Sequence, residues 1–465
     1  MKIIVDNIGA IKHAELVPGD ITVICGKNNS GKTYVTYAYY GFLNFLKTGL
    51  IEYSDEIIDL SDINTDELKE NKVLEINIGK YLDNYSNILN NICDIYSKTL
   101  YRVFASTEKR FKNSKFQIIL DDSDVLIPAP TKVKYGESLV FNTDVDKKIL
   151  YVSNINENDT IPLPSTFLLT LIGHTILRVM FKNVFGSDTF IASVERTGAS
   201  IFKKELYLNR NRIVEKLSES ATKDKDIDIH EFLFSSYSLY PLPVKDNVTF
   251  IQELDSLHLE SPLSQSNPEI LAKFSEIVGG TYGIDKDGDV IFIPKLSKSR
   301  SPKLQLTESS SVARALIHID YYLRHRAQKN ENLIVDEPEL NLHPENQRLI
   351  ARLFVRLANA GIKIFITTHS DYIIREFNTL ILFNQNNSKS NDIMEMYGYD
   401  ESEVLNPKNI KIYATEQYSS SKSKKPNDAY TLVPVHVDEN WGISISSFDD
   451  SINMMNEIQD KLLWN

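Results

Sequence analysis

Only two cysteines, Cys25 and Cys93, occur in 465 residues, too few for a disulfide framework or a cysteine-based zinc site. No apolar run reaches the roughly 18 residues that a spanning helix needs, so no membrane segment is expected. Basic residues are not in excess: 63 acidic against 51 basic side chains leave a net charge of −12. That balance argues against charge-driven coating of DNA, yet DNA stays open as a partner because local patches decide such contacts. The candidate strips are Lys295, Lys298, Arg300 and Lys303, and Lys422, Lys424 and Lys425, both Ser-rich and readable as solvated loops. Residues 1–16 lack the apolar core and small-residue cleavage site of a secretory signal, and a cytoplasmic location is expected. With 42% hydrophobic and 25% charged residues, the chain has the composition of a globular protein of several domains, or of one large domain with insertions.

Strand-like segments at Lys2–Val5 and Ile21–Cys25 flank a polar turn, and a glycine-rich loop leads into an aromatic-rich helix from Lys32 to about Leu46. Residues 50–70 turn acidic and read as loop. Ile78, Leu82, Tyr85, Leu89, Ile92, Tyr96, Leu100 and Val103 then recur every three or four residues, the spacing of one helix face. Strands are expected near Phe116–Leu120 and Lys148–Val152, and an apolar helix from about Thr166 to Phe181. Ser218–Asp228 and Ser261–Pro268 read as loops. Two strand-like runs within Thr281–Lys295 flank Asp285-Lys286-Asp287-Gly288, a hairpin signal. Helix 311–328, strand 332–335, helix 344–358 and strand 363–367 then alternate, as in a parallel sheet covered by helices. Leu432–Ile445 reads as a hairpin, followed by an amphipathic helix carrying Ile452, Met455, Ile458 and Leu462, with Asp449-Asp450 as its cap.

The strongest chemical signal is Gly26-Lys27-Asn28-Asn29-Ser30-Gly31-Lys32-Thr33, which fits the phosphate-loop pattern G-x-x-x-x-G-K-[ST] between a strand and a helix. Glycine lets successive N–H groups of such a loop turn inward on phosphate oxygens, and the helix N-terminus adds positive charge. Gly26, Asn28, Asn29, Ser30, Gly31, Lys32 and Thr33 are therefore assigned to ATP, with Lys32 reaching the β- and γ-phosphates and the Thr33 hydroxyl on Mg²⁺. Leu333-Ile334-Val335-Asp336-Glu337 places two carboxylates at the end of a buried strand. Asp336 is the second candidate magnesium residue, and Glu337 the candidate base for the attacking water. Ile362–Ser370 ends a third strand at His369, a candidate catalytic donor to the γ-phosphate, whereas His174, His230 and His318 stand alone and read as structural. Ser309, Ser310 and Ser311 open a helix and offer donors to an anion; a simple N-cap is the alternative.

Taken together, GKNNSGKT, LTESSSVARAL, LIVDEPELNLHP and FITTHS resemble the ABC-type ATPase heads of the RecF, SMC and OLD group, and Phe190–Gly198 resembles the PAERSG segment of its OLD-like branch. The resemblance implies an α/β fold: a P-loop NTPase head whose mixed sheet carries helices on both faces, with a helical insertion and a small C-terminal α+β element. It places a discontinuous head at 1–50 and 185–385, an insertion at 51–184 and a C-terminal element at 386–465. It also implies that two heads sandwich two ATPs, a serine among Ser309, Ser310 and Ser311 reaching the γ-phosphate on the other head. That makes the chain its own partner, as a homodimer or higher even oligomer. Gln117 is the one guess for a Q-loop glutamine.

The interval between Lys32 and Ser309 is too short for the long heptad arm of an SMC protein, and no DxD pattern or HNH-like cluster is read after His369. The leading expectation is thus a magnesium-dependent ATPase resembling the ATPase subunit of Septu or retron-associated anti-phage systems. Its partner would be a separately encoded HNH-type nuclease or retron components, docked on the C-terminal element. A RecF-like repair ATPase at DNA ends or gaps is the alternative, and an ATP-stabilised scaffold with incidental turnover a third.

Overall fold

The structure, a computed structural model, describes residues 1–121, 127–136, 138–155, 164–202, 240–286, 288–296, 301–385, 388–418, 429–443 and 454–462. A nine-stranded mixed sheet forms its spine. From edge to edge the strands are Lys115–Ile119, Lys2–Ile8, Ile11–Leu16, Tyr430–Val435, Ile410–Gln417, Ile21–Cys25, Lys363–Thr368, Asn332–Asp336 and Thr189–Ala192. The last three pair in parallel, and Lys363–Thr368 also runs parallel to Ile21–Cys25. Those four strands therefore end together, at the edge of the sheet where the phosphate loop leaves Cys25.

Side chains alternate faces along a strand, and that period divides the interior into two cores. Ile24, Ile334, Phe365 and Tyr413 point into one, with the phosphate-loop helix Lys32–Lys47 and helix Ser165–Phe185. Val23, Cys25, Leu333, Val335, Ile364 and Ile366 point into the other, with helices Ser311–His325, Pro344–Asn359 and Asp371–Leu382. Both faces are covered, which is why these strands read as unbroken apolar runs.

Helix Ser165–Phe185 is long and apolar enough by length and composition to cross a membrane, contrary to the reading of apolar runs, and 61% of that window is buried in the fold. It is apolar because it is a core helix.

Several local expectations are revised. Ile11–Leu16 is a strand, paired antiparallel with Lys2–Ile8. The acidic stretch after Leu50 contains short helices at Ser54–Ile57 and Asp66–Asn71, because Ile57, Ile58, Leu60 and Leu68 are buried. The stripe from Ile78 to Val103 breaks at Asn84 into Gly79–Asp83 and Tyr85–Val103. Ser261–Pro268 holds the short helix Pro262–Ser266, capped by the Ser261 side chain. The Asp285–Gly288 hairpin joins Gly280–Ile284 to Val290–Pro294, with Gly288 at φ +83°, in a separate three-stranded sheet.

The largest revision concerns the expected boundary at 385. Among the described residues Tyr430–Val435 makes no hairpin with those after it; it pairs with Ile410–Gln417, and both strands lie inside the main sheet. Arg352 and Arg356 fasten the preceding segment to the head through Glu403, at 2.6 and 3.0 Å. The only later pairing among the described residues joins Val437–Asp438 to Gly442–Ile443. Residues 51–184 are likewise not wholly separate, since Lys115–Ile119 adds a strand to the main sheet, while Val73–Asn77, Lys132–Tyr135, Leu139–Asp144 and Ile149–Asn154 form a sheet of their own. Residues 454–462 are helical and exposed, with Met454, Met455, Ile458 and Leu462 all solvent-facing. Ile452, Asp449-Asp450, Ser218–Asp228, His230, Lys298, Arg300 and the Lys422–Lys425 strip lie outside the described residues.

His318, in helix Ser311–His325, is fully buried, with Nε2 3.1 Å from the Asn247 carbonyl and no partner for Nδ1. Burial pulls its pKa from the ordinary 6.5 down to about 4, and the nearby Arg196 charge adds to the fall. The folded protein therefore resists a proton that the unfolded chain accepts. The resulting stability is complete above pH 6.5 and is lost as the pH falls toward 4, an effect of about 3 kcal/mol. Melting temperatures across that range should drop more steeply for the wild type than for His318→Gln; parallel curves would refute the assignment.

Candidate nucleotide site

The loop Gly26–Thr33 is shaped by its glycines and by one distant strand. Gly26 sits at φ +145° and Gly31 at φ +93°. A Cβ on Gly26 would come within 1.9 Å of the Thr415 hydroxyl, and one on Gly31 within 2.8 Å of Ile11. Thr415 Oγ1 donates to Ser30 Oγ at 2.7 Å, and Ser30 in turn donates to the Lys27 carbonyl at 2.6 Å. Ser30 is thus buried inside the loop, while Asn28 and Asn29 are exposed at its tip, Asn29 at φ +61°. Helix Lys32–Lys47 starts with no side-chain cap and no acidic residue in its first turn, so its leading N–H groups are available to an anion. Lys32 donates to the carbonyls of Gly26 and Lys27, each at 2.9 Å, and is 5% exposed. Burial lowers its pKa, against the opposing charges of Glu337, Asp336 and Glu339.

Asp336 lies across from this helix start, fully buried. Its Oδ1 accepts from the Thr33 hydroxyl at 3.5 Å and from the Thr367 hydroxyl. Its Oδ2 is buried with no partner. Burial pushes its pKa up to about 6, opposed by the Thr367 hydrogen bond and reinforced by Glu337. A hydroxyl beside a carboxylate with one oxygen to spare is the hard-oxygen donor set that magnesium takes, so these residues fit the ion assigned to them.

Glu337 follows at φ +49°, a left-handed position uncommon for a side chain of this kind. Its N–H is held by Thr367 through the carbonyl at 3.2 Å and Oγ1 at 3.1 Å. That turn takes the carboxylate out of the sheet to a half-buried position, 3.7 Å from His369 Nδ1. His369 ends strand Lys363–Thr368 with its imidazole 41% exposed. Phosphate loop, Asp336, Glu337 and His369 thus meet in one chain.

Among the described residues no hydrogen bond ties the three serines to that group. Ser309 is buried and its hydroxyl donates to the Leu306 carbonyl at 2.7 Å. Ser310 caps helix Ser311–His325 by accepting from the Ala313 N–H at 3.2 Å. Ser310 and Ser311 are exposed, and the hydrogen bonds of Ser309 and Ser310 end on residues 305–314. Gln117 lies on the edge strand opposite Ile4, five strands away from Ile21–Cys25.

Residues 1–374 match the AAA ATPase domain family over most of the chain. The chain belongs to that family. None of the curated proteins matches it. Among solved structures the ATPase is similar to the Smc head bound to the C-winged helix domain of ScpA, at 12% identity over 93% of this chain and 97% of the other, with a TM-score of 0.33. It is also similar to the Smc head domain with an extended coiled coil bound to the C-terminal domain of ScpA from Pyrococcus furiosus, at 13% identity over 98% of each chain, TM-score 0.31. A third likeness is the SMC head domain from Thermotoga maritima, at 10% identity over 94% and 98%, TM-score 0.31.

The motifs gave no role to the residue that ties the candidate site together. Arg196, in the ERTG segment, is 0% exposed. Its guanidinium donates to four main-chain carbonyls: Ser193 (2.8 Å), Asp336 (2.8 Å), Glu337 (2.9 Å) and Ala315 (3.0 Å). It therefore joins the end of the acidic strand to the helix that Ser310 caps. Burial lowers its pKa, and the charges of Asp336 and Glu339 oppose that. Thr415, Thr367 and Glu339 were missed as well. Glu339 had a visible signal, a third carboxylate two residues beyond Glu337, whereas Thr415 had none.

Proposed function

We propose that this ATPase binds Mg-ATP between two copies of itself and hydrolyses it, and that turnover controls a separately encoded HNH-type nuclease in anti-phage defence. One observation carries the shared site. Each chain offers a half-site of phosphate loop, acidic strand and His369, and, apart from it, an exposed helix start at Ser310 and Ser311 whose hydrogen bonds close locally. A 15-residue helix presents N–H groups and dipole at that end. A second copy would bring that end to the γ-phosphate. The defence reading is supported by the likeness of DEPELNLHP and ERTG to the OLD-like branch, and the motif set resembles that of Septu or retron-associated ATPases.

In the reaction the water oxygen attacks the γ-phosphorus in line as the bond to ADP breaks. Glu337 takes the water's proton. Lys32 exchanges its loop carbonyls for β- and γ-phosphate oxygens. Thr33 and Asp336 would hold magnesium, whose charge offsets that of the phosphates.

Complementation tests the shared site. Lys32→Ala alone and the triple Ser309/Ser310/Ser311→Ala variant alone should each be inactive. Mixed in equal amounts they should recover about a quarter of wild-type turnover, because half the dimers are mixed and each mixed dimer rebuilds one of two sites. Confirmed mixed dimers without recovery would overturn the shared site. Co-purification with products of adjacent genes, with turnover measured with and without DNA, tests the effector. A nuclease that co-purifies supports defence, whereas DNA-stimulated turnover without one favours a RecF-like repair role.

A further inference from the structure

We propose that Glu339 is the positioning residue for His369, holding the imidazole by its Nδ1 side so that Nε2 is the nitrogen that meets the nucleotide. The proposal rests on the ATPase reading of this site and adds a residue to it. Glu339 lies beyond the turn made by Glu337 and is 6% exposed. Its Oε1 accepts from the His369 N–H at 2.7 Å and from the Thr368 hydroxyl at 2.8 Å, and stands 3.3 Å from His369 Nδ1. One oxygen therefore grips the main chain and the neighbouring side chain, and stands against the ring, of the same two residues. Its other oxygen is buried without a partner, which a structural carboxylate would ordinarily avoid. The buried Lys32 and Arg196 supply the facing positive charge.

The ring's two nitrogens then have separate duties. Nδ1 lies between two carboxylates, Glu339 at 3.3 Å and Glu337 at 3.7 Å. A hydrogen on Nδ1 is the one these oxygens can accept, and the partner of one ring nitrogen sets the role of the other. Nε2, on the far side of a ring that is 41% exposed, is left to the phosphate. It donates there when the ring carries its second proton, a charge that Glu339 offsets. The 3.3 Å contact is loose for a hydrogen bond, and such contacts tighten when a site fills.

A double-mutant cycle on the full chain tests this. Glu339→Gln should lower kcat roughly tenfold while changing KM for ATP by less than about twofold. In the His369→Ala background the same change should have almost no further effect, because the ring it serves is gone. A kcat unchanged in Glu339→Gln, or two losses that multiply, would overturn the proposal. If Glu339→Gln fails to fold, Glu339→Asp, which withdraws the carboxylate by one methylene, carries the same cycle. A second measurement does not depend on turnover: long-range ¹H–¹⁵N spectra of ¹⁵N-histidine protein, with His369 assigned by its absence in His369→Ala. The nucleotide-free wild type should show His369 protonated at Nδ1, and Glu339→Gln or Glu339→Asp should shift it toward the other tautomer. A wild-type ring protonated only at Nε2 refutes the positioning role even if ATP is hydrolysed. A protein without turnover but with the Nδ1 pattern would sink the ATPase mechanism and leave the positioning intact.

Discussion

Glu337→Gln lowers steady-state ATP turnover by about two to four orders of magnitude, the usual worth of a general base, while leaving nucleotide affinity close to that of the wild type. The two effects separate because of how Glu337 is held. The left-handed turn at φ +49° is pinned by main-chain bonds, from its N–H to Thr367 and from Arg196 to its carbonyl. None of them involves the carboxylate. Glutamine keeps the shape of the side chain and removes only its capacity to take a proton. In the proposed site, binding would rest on the phosphate loop, the uncapped helix start and Lys32, which the substitution does not touch. Closed dimers with ATP trapped should therefore accumulate. Single-turnover hydrolysis measures the first effect, and light scattering after size exclusion with Mg-ATP the second. Turnover at the wild-type rate would remove Glu337 from the chemistry.

Arg196→Met destabilises the protein by about 3–5 kcal/mol, in the range for removing one member of a buried charged network. The guanidinium is 0% exposed, and its donors end on carbonyls from three separate segments: Ser193, Ala315, and Asp336 with Glu337. Methionine fills much of the volume and satisfies none of these oxygens. Arg196→Lys restores charge, but a single ammonium on a flexible stem does not reproduce the planar fork, so it recovers only part of the loss. Denaturation followed by circular dichroism measures both variants. Because two of the four bonds end on Asp336 and Glu337, Arg196→Lys should also lose turnover under conditions where it remains folded. A methionine variant within about 1 kcal/mol of wild type would mean that the network is not needed for stability.

The parts of the site visible in the motifs are those whose chemistry requires contiguous residues. A loop that wraps phosphate needs its glycines and lysine at set spacing, so Gly26–Thr33 announces itself. A buried strand ending in carboxylates does too, and the alternating strands and helices from 311 to 368 appear with their ends displaced by a few residues at most. The C-terminal region was read differently, as a separate hairpin element, for a physical reason. Tyr430–Val435 alternates like any half-buried strand, and nothing local says that its partner precedes it or that it lies between Ile11–Leu16 and Ile410–Gln417, the latter beside Ile21–Cys25. The acidic stretch after Leu50 misled in the opposite way, its charge concealing four buried apolar side chains.

Sequence alone determined that this protein has a phosphate loop, an acidic strand and a histidine strand on a parallel α/β sheet, because apolar period and loop stereochemistry are written over a few adjacent residues. Tertiary structure alone decided what holds that site. Arg196 finds its carbonyls up to 141 residues away, Thr415 braces Ser30 across 385, and Glu339 reaches His369 across 30. A buried polar group takes whichever partner the packing brings within about 3 Å, and that choice is made by the whole fold, not by neighbours along the chain.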